Sequence, residues 1–300
     1  MANILRSNIS RLLVEGIKKN YGLSYEAAEK HYQKAFPTIQ SNKELETYNE
    51  ISSVGLHSTK AEGSEAASDT INQGVKTICV NQSYGKKLDI THEAIQDNLY
   101  GEILRAATSM GQSTADTIET ICMNVLNDGF STTLADGVVL FSASHPLEGS
   151  GGTGSNTSTA AALSEASLIS MSTTVGKFTD ARGNKINVKP KLLLVPVDLA
   201  TTAHKLLHST LQPGGNNNDL NVFGRTAGRI PEGYISSAYI SDTNGWIVKT
   251  SVDGSGYQER EKPRIMEDFK QASMVNQIVS YFRGNAVVFD WRSFYGNAGA

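Results

Sequence analysis

The sequence predicts an α+β fold, and three observations point to it. A long amphipathic pattern spans about residues 99–127, an apolar strand at 192–195 lies between two helical patterns, and the final third is rich in β signals. Three hundred residues can hold one large domain or two moderate ones, and 39% apolar content is enough for a buried core. The 27 glycines, with many Ser, Thr and Asn, indicate long irregular or extended segments.

Ile9, Leu12, Leu13 and Ile17 recur at helical spacing, so residues 9–35 read as an amphipathic helix with a break at Tyr21-Gly22. Ser24 can cap the second piece and Pro37 stops it. This arm carries balanced charges and too little apolar surface to fold alone, so it must dock on something else. Residues 49–88 are the most unusual stretch. Ile51 and Val54 precede a run from Gly55 to Gln73 whose only large apolar residues are Leu56 and Ile71, and Val75 to Val80 then has strand propensity. Two strand-like flanks around a polar run fit a long hairpin reaching out of the domain, or a plain surface loop.

Thr91 can cap a short helix through Gln96, and Asn98 the long helix, which Asn127-Asp128-Gly129 ends. At about 1.5 Å per residue the long helix is a strut of ~40 Å. Residues 142–160 form a loop of Gly, Ser, Thr and Asn. Ser164 then starts a helix with Leu168, Ile169 and Val175, and a turn at 180–184 leads to the apolar strand, which Pro196 ends. Asp198 caps a helix whose Leu199, Ala203, Leu206 and Leu207 form one stripe. In the last third, Asn244-Gly245 predicts a hairpin between 239–243 and 246–250. Arg283-Gly284-Asn285 predicts another between 277–282 and 286–294.

A net charge of −3 argues against a broad grip on nucleic acid, because each neutralised phosphate needs a Lys or Arg. No Lys or Arg occurs from Ala106 to Gly176, where Asp116, Glu119, Asp128, Asp136, Glu148 and Glu165 are acidic. Cys79 and Cys122 read as buried free thiols. No stretch approaches the roughly 20 apolar residues of a membrane span, and the N-terminus has no apolar run of signal-peptide length. The glycines within 149–154 lack the Gly-Lys-Ser/Thr of a phosphate loop and read as a flexible linker. His145 stands near Ser142 and Ser144, but there is no Gly-x-Ser-x-Gly elbow, so it reads as a His packed or bonded at a loop entry. His204 and His208 share a helix face without a third metal ligand and read as surface histidines. Glu259 to Lys262 alternates in charge, as a solvated strand or an ion-pairing edge does. The residues call for no cofactor, no metal and no catalytic group.

Four segments carry a further signal: Ser83 to Asn98 at the entry to the long helix, Asn127 to Pro146 leaving it, Leu193 to Leu199 as a strand-to-helix step, and Val287 to Phe294 near the C-terminus. In this order they resemble the Hong Kong 97-type major capsid protein of tailed bacteriophages, especially the Mu-like major head subunit. The resemblance implies a Hong Kong 97-like capsid fold. Its parts would be an N-terminal arm (1–48), an extended hairpin loop (49–88), a peripheral domain with the spine helix (89–135 and 251–300) and an inserted axial domain (136–250). It implies a structural shell subunit rather than an enzyme, forming pentamers and hexamers of an icosahedral head around double-stranded DNA that it touches only non-specifically. Scaffolding, portal and decoration proteins would be further partners, no membrane is involved, and the protein would reside in the virion after assembly in the host cytoplasm. The hairpin would lie on a neighbouring subunit, with Ser58, Lys60, Glu62, Glu65, Asp69, Asn72 and Lys76 as contact residues. Lys60 also sits where some relatives carry a cross-linking lysine, although no partner Asn can be identified. The alternatives are an encapsulin-like nanocompartment shell, a hydrolase using His145, and another virion component such as a tail protein.

Overall fold

The computed structural model describes residues 6–300 except 72, 92, 95, 96, 98, 99, 148–150, 212–219, 225–228 and 271–274. Helix α1 (Arg6–Ala27) runs unbroken through Tyr21-Gly22, and the break comes at residues 28–31, before the short α2 (Tyr32–Ala35). Tertiary packing overrides the local signal. Tyr21 is buried, and its hydroxyl bonds Thr114 Oγ1 (3.1 Å) and Ser280 Oγ (2.8 Å). Ser24 is not a cap; its hydroxyl donates to the Thr108 carbonyl at 2.7 Å. Phe36 turns extended ahead of Pro37, as a residue before proline prefers.

Four strands follow: β1 (Thr38–Gln40), β2 (Leu45–Ile51), β3 (Gln73–Val80) and β4 (Gln82–Thr91). Thr91 Oγ1 accepts the Ala94 N–H at 3.3 Å, as a cap does, while Gln96 and the Asn98 cap lie outside the described residues. The long helix α3 (Tyr100–Asn127) stands where its apolar spacing placed it, ending before a 3-10 turn at Asp128–Phe130. The arm docks on α3, and at Gly111 an added Cβ would lie 2.6 Å from the Tyr21 carbonyl. Beyond it come β5 (His145–Pro146), β6 (Thr153–Gly154), α4 (Glu165–Gly176), β7 (Pro190–Pro196) and α5 (Ala200–His208). The chain closes with β8 (Tyr234–Ser237), β9 (Trp246–Thr250), β10 (Ser255–Lys270), β11 (Val275–Val288) and β12 (Phe294–Asn297).

One sheet has the order β1-β10-β11-β4 and a second has β12-β9-β7-β8. β10 and β11 pair antiparallel from Ser255↔Val288 to Lys270↔Val275 with two register shifts, and Pro263, which has no N–H for a ladder, sits in the second. β11 is continuous through Arg283-Gly284-Asn285, so the hairpin predicted there is absent. Gly284 serves a close approach instead: a Cβ would meet the Gln258 carbonyl at 2.5 Å and Tyr257 Oη at 2.6 Å. The Asn244-Gly245 hairpin is absent too. Residues 239–243 form no strand, and β8 and β9 lie on opposite sides of β7, parallel and antiparallel to it. β7 is the cause. Leu192, Leu193, Leu194 and Val195 are wholly buried, and the backbone of such a strand needs ladder partners at both edges.

Ser164 caps α4 through a capping box with Ser167, as its position predicts. Asp198 is no cap; it lies in a 3-10 turn (Val197–Leu199), and Leu199 precedes α5 without a side-chain cap bond. The glycine-rich loop is no flexible linker over its described part, since β5 pairs with β6 and both His145 and Asn156 are wholly buried. Gly154 permits this, because a Cβ there would strike Trp291 at 2.5 Å. The main core unites the second sheet, α4, α5 and the C-terminal half of α3, while Leu13, Ile17, Ile103, Ala107 and Met110 fasten α1 to the other half. The strut therefore joins two cores. Cys79 and Cys122 are free and buried, and burial pushes the Cys79 thiol up to about 11.

Candidate subunit interface

The polar run is the loop of a true hairpin. β2 and β3 pair antiparallel from Leu45↔Val80 to Ile51↔Gln73, so the ribbon starts at Leu45 rather than 49. Alternation along the strands gives it two faces. The inner face is fastened to the body. Tyr48 stacks on Phe289 (centroids 4.5 Å apart, planes at 4°), Gln258 Nε2 donates to Tyr48 Oη (2.7 Å), and Glu50 pairs with the buried Arg292 (3.2 Å). Arg292 also reaches Asp290 (3.1 Å) and donates through Nε to the Thr179 carbonyl (2.7 Å).

The outer face carries Leu45, Ile78 and Val80, which remain 44%, 54% and 48% exposed. Ile51, Val54, Leu56 and Ile71, nearer the tip, are more exposed still. Of fourteen exposed large apolar side chains among the described residues, seven lie on this one hairpin. Scattered apolar groups are ordinary on a surface, but such a concentration marks a contact patch.

The polar residues singled out from sequence divide between different surroundings. Ser58, Lys60, Glu62 and Glu65 are exposed about the loop tip, where the Ser64 N–H bonds the Ala61 carbonyl (3.2 Å) and Gly63 takes φ +78°. Lys76 is exposed on the outer face of β3, and Asn72 lies outside the described residues. Asp69 is engaged within the subunit. Arg182 Nη1 donates to both of its carboxylate oxygens at 2.7 Å, and its Oδ2 accepts the Gly55 N–H at 2.6 Å. These bonds, Arg182 foremost, hold the Asp69 carboxyl down at about 2. Sequence reading missed the apolar contributors because each stands singly; period-two alternation through Leu45, Thr47, Asn49 and Ile51 is the signal that could have found them.

His145 forms a second cluster. Its ring stacks on Trp291 (4.5 Å, 2°), with Nδ1 2.7 Å from Asp136 Oδ2 and Nε2 3.1 Å from the Leu140 carbonyl and 3.2 Å from Asn156 Oδ1. Asp136 is its carboxylate partner. A hydrolytic triad needs a ring nitrogen free to take a serine proton, yet Nε2 faces two acceptors and is shut from solvent. Asn156 Nδ2 donates to the carbonyls of Leu140, Trp291 and Phe294, so the cluster ties residues 136–156 to the C-terminal segment. It is a packed and bonded histidine, as expected. His204 and His208 are exposed with rings 4.5 Å apart, and among the described residues no group of three or more His, Cys, Asp or Glu is placed to hold a metal ion. No helix among the described residues is long and apolar enough to cross a membrane.

In fold the chain is similar to several particle shells. The virus-like particle from Pyrococcus furiosus aligns with a TM-score of 0.58 at 11% identity, over 94% of this chain and 98% of that one. The procapsid of bacteriophage JBD30 aligns at 0.54 and 14% identity, over 98% and 76%. The capsid of the native GTA particle aligns at 0.56 and 12%, over 100% and 93%. At such identities the likeness speaks for fold alone, and it bears out the α+β, Hong Kong 97-like expectation. No curated protein matches in sequence. A family model described as phage capsid protein matches residues 76–297, which is most of the chain, and the protein therefore belongs to the phage capsid protein family.

Proposed function

We propose that this structural capsid protein self-assembles into pentamers and hexamers of an icosahedral head enclosing double-stranded phage DNA. The observation that carries this is the gathering of exposed apolar side chains on one projecting hairpin. A ribbon fastened by its inner face and bare on its outer face is completed by a second copy, and head-to-tail contacts of that kind close into rings. Of the expected polar contacts, Lys76 stands beside Ile78 and Val80 on the outer face, Ser58, Lys60, Glu62, Glu65 and Asp69 belong to the loop, and Asn72 is an expected contact outside the described residues. Apolar groups flanked by polar ones are the ordinary anatomy of a protein interface.

The parts divide as arm (1–48), hairpin loop (49–88), peripheral domain (89–135 and 251–300) and axial domain (136–250), with the paired root of the hairpin reaching back into the arm as far as Leu45. The role is architectural, not catalytic, and within the family the proposed kind is the Mu-like head subunit. Membership in that family favours a phage head over an encapsulin-like compartment. The stretch from Ala106 to Gly176, free of Lys and Arg, suits DNA that must slide during packaging. Scaffolding, portal and decoration proteins are the further partners, and assembly takes place in the host cytoplasm before the protein resides in the virion.

Negative-stain microscopy of the purified protein, with scaffold supplied, should show capsomers or shells. Deleting residues 56–70 should leave a cooperatively folded subunit that no longer assembles. A wild-type protein that stays monomeric refutes the shell role, and normal shells from the deletion refute the use of the hairpin.

A further inference from the structure

The turn at 180–184 is firmly built. Asp180 Oδ1 accepts the backbone N–H groups of Arg182 (2.9 Å) and Asn184 (2.8 Å), Asp180 Oδ2 accepts from Asn184 Nδ2 (3.0 Å), and Gly183 takes φ +83°. Two side chains reach from this turn to the two legs of the hairpin loop. On the outgoing leg, Ser53 Oγ donates to Asp180 Oδ2. On the returning leg, Arg182 donates to the Asp69 carboxylate and to the Thr70 carbonyl. Asp69 also accepts the Gly55 N–H, which draws the legs together. The Arg182 side chain is only 18% exposed and that of Asp69 36%, so the pair is partly shielded from water, where charge-assisted hydrogen bonds are strong. A guanidinium suits the task better than an ammonium, because its planar fork serves the carboxylate and the carbonyl at once.

We infer that Asp69 and Arg182 form a clasp that fastens both legs of the hairpin loop to the 180–184 turn and so presets the pose in which the hairpin meets a second copy. The clasp stands on this geometry alone, whereas its presetting role rests on the proposed use of the hairpin in assembly. Residues 56–71 are exposed throughout and bury little that could order them. A loop ordered beforehand loses less freedom when a partner covers it.

Endoproteinase Lys-C tests the clasp on the full-length, unassembled subunit, since Lys60 lies at the exposed tip. In Arg182→Gln and in Asp69→Asn, cleavage after Lys60 should quicken about 5-fold, the scale of a partly exposed charged pair. Cleavage after Lys205, on α5, should stay constant and so report that the body remains folded. The double variant Asp69→Arg with Arg182→Asp should regain part of the protection, which general loosening would not produce. Light scattering with scaffold supplied should show slower assembly of both single variants. Unchanged cleavage after Lys60 in the single variants, or faster cleavage with no recovery in the double variant, overturns the clasp. Faster cleavage with recovery but unaltered assembly overturns the presetting role. Failure of the wild type to assemble would instead strike the proposed function and leave the cleavage result standing.

Discussion

Replacing Ile78 by Asp puts a charge at the middle of the hairpin's outer face. Full burial of an isoleucine side chain is worth about 1.5–3 kcal/mol. Ile78 keeps 54% of its surface exposed in the subunit, so about half of that gain, ~1 kcal/mol, is still available when a second copy covers it. An Asp forfeits the gain and adds about 1–3 kcal/mol for covering a polar group without a partner. The sum, roughly 2–4 kcal/mol, weakens each contact about 30- to 1000-fold, because each 1.4 kcal/mol is tenfold. In a closed ring every subunit gives one such contact and receives one, so the weakening repeats around the ring. The isolated subunit should hardly notice, since Ile78 pairs across the ribbon with Thr47 and its side chain faces solvent. Sedimentation velocity across a concentration series, with scaffold supplied, should show assembled material disappearing at concentrations where wild type assembles. Thermal melting should shift by no more than about 2 °C. Ile78→Val should behave almost as wild type. Assembly of Ile78→Asp at the wild-type concentration, with the fold intact, would falsify the assignment of this face to a contact.

Three further changes test the body that carries the hairpin. Arg292→Ala strands Glu50 and Asp290 and removes the guanidinium 4.5 Å from the Trp291 ring. Breaking a fully buried pair costs about 3–5 kcal/mol, and the acidic partners here are 28% and 26% exposed, so a loss of about 2–3 kcal/mol in urea unfolding is expected. A loss below about 1 kcal/mol would show that Arg292 does not fasten the hairpin root. Gly284→Ala should cost about 1–3 kcal/mol by overpacking against Tyr257 and the Gln258 carbonyl, and a neutral result would argue against a continuous β11 there. Burial lowers the Lys249 ammonium to about 8, with Nζ donating to Ser255 Oγ at 2.5 Å. The unfolded chain therefore holds this proton more tightly. The penalty is complete below about pH 8 and is relieved as pH rises toward about 10.5, which is worth about 3 kcal/mol. Wild type should gain stability relative to Lys249→Met across that window, and parallel stability curves for the two proteins would contradict the assignment.

Signals that repeat locally are legible in this sequence. The apolar spacing of α3 and the Ser164 cap of α4 need no distant partner to be understood. Choices that depend on distant strands are not. Gly284 carries the same letter for a turn as for a close approach, and only Tyr257 across the ladder decides between them. Asn244-Gly245 is a strong turn signal, yet β9 already pairs with β7 on one edge and β12 on the other, so a hairpin with 239–243 would have to displace one of them. The candidate site divides the same way. A run without large apolar residues reveals the loop, but alternation in the flanks reveals only that one face is apolar, not which body covers it. Ordinary folding would turn that face inward. Here the inward face instead holds Glu46, Tyr48 and Glu50, secured by a ring stack, an ion pair and side-chain hydrogen bonds, while Leu45, Ile78 and Val80 look outward. Reversing the ribbon would bury more apolar surface within the subunit, but it would break the Glu50–Arg292 pair and strand a buried guanidinium. The polar fastening thus holds the hairpin in the one orientation whose apolar surface a single chain cannot cover, and a second chain is the cover that removes it from water.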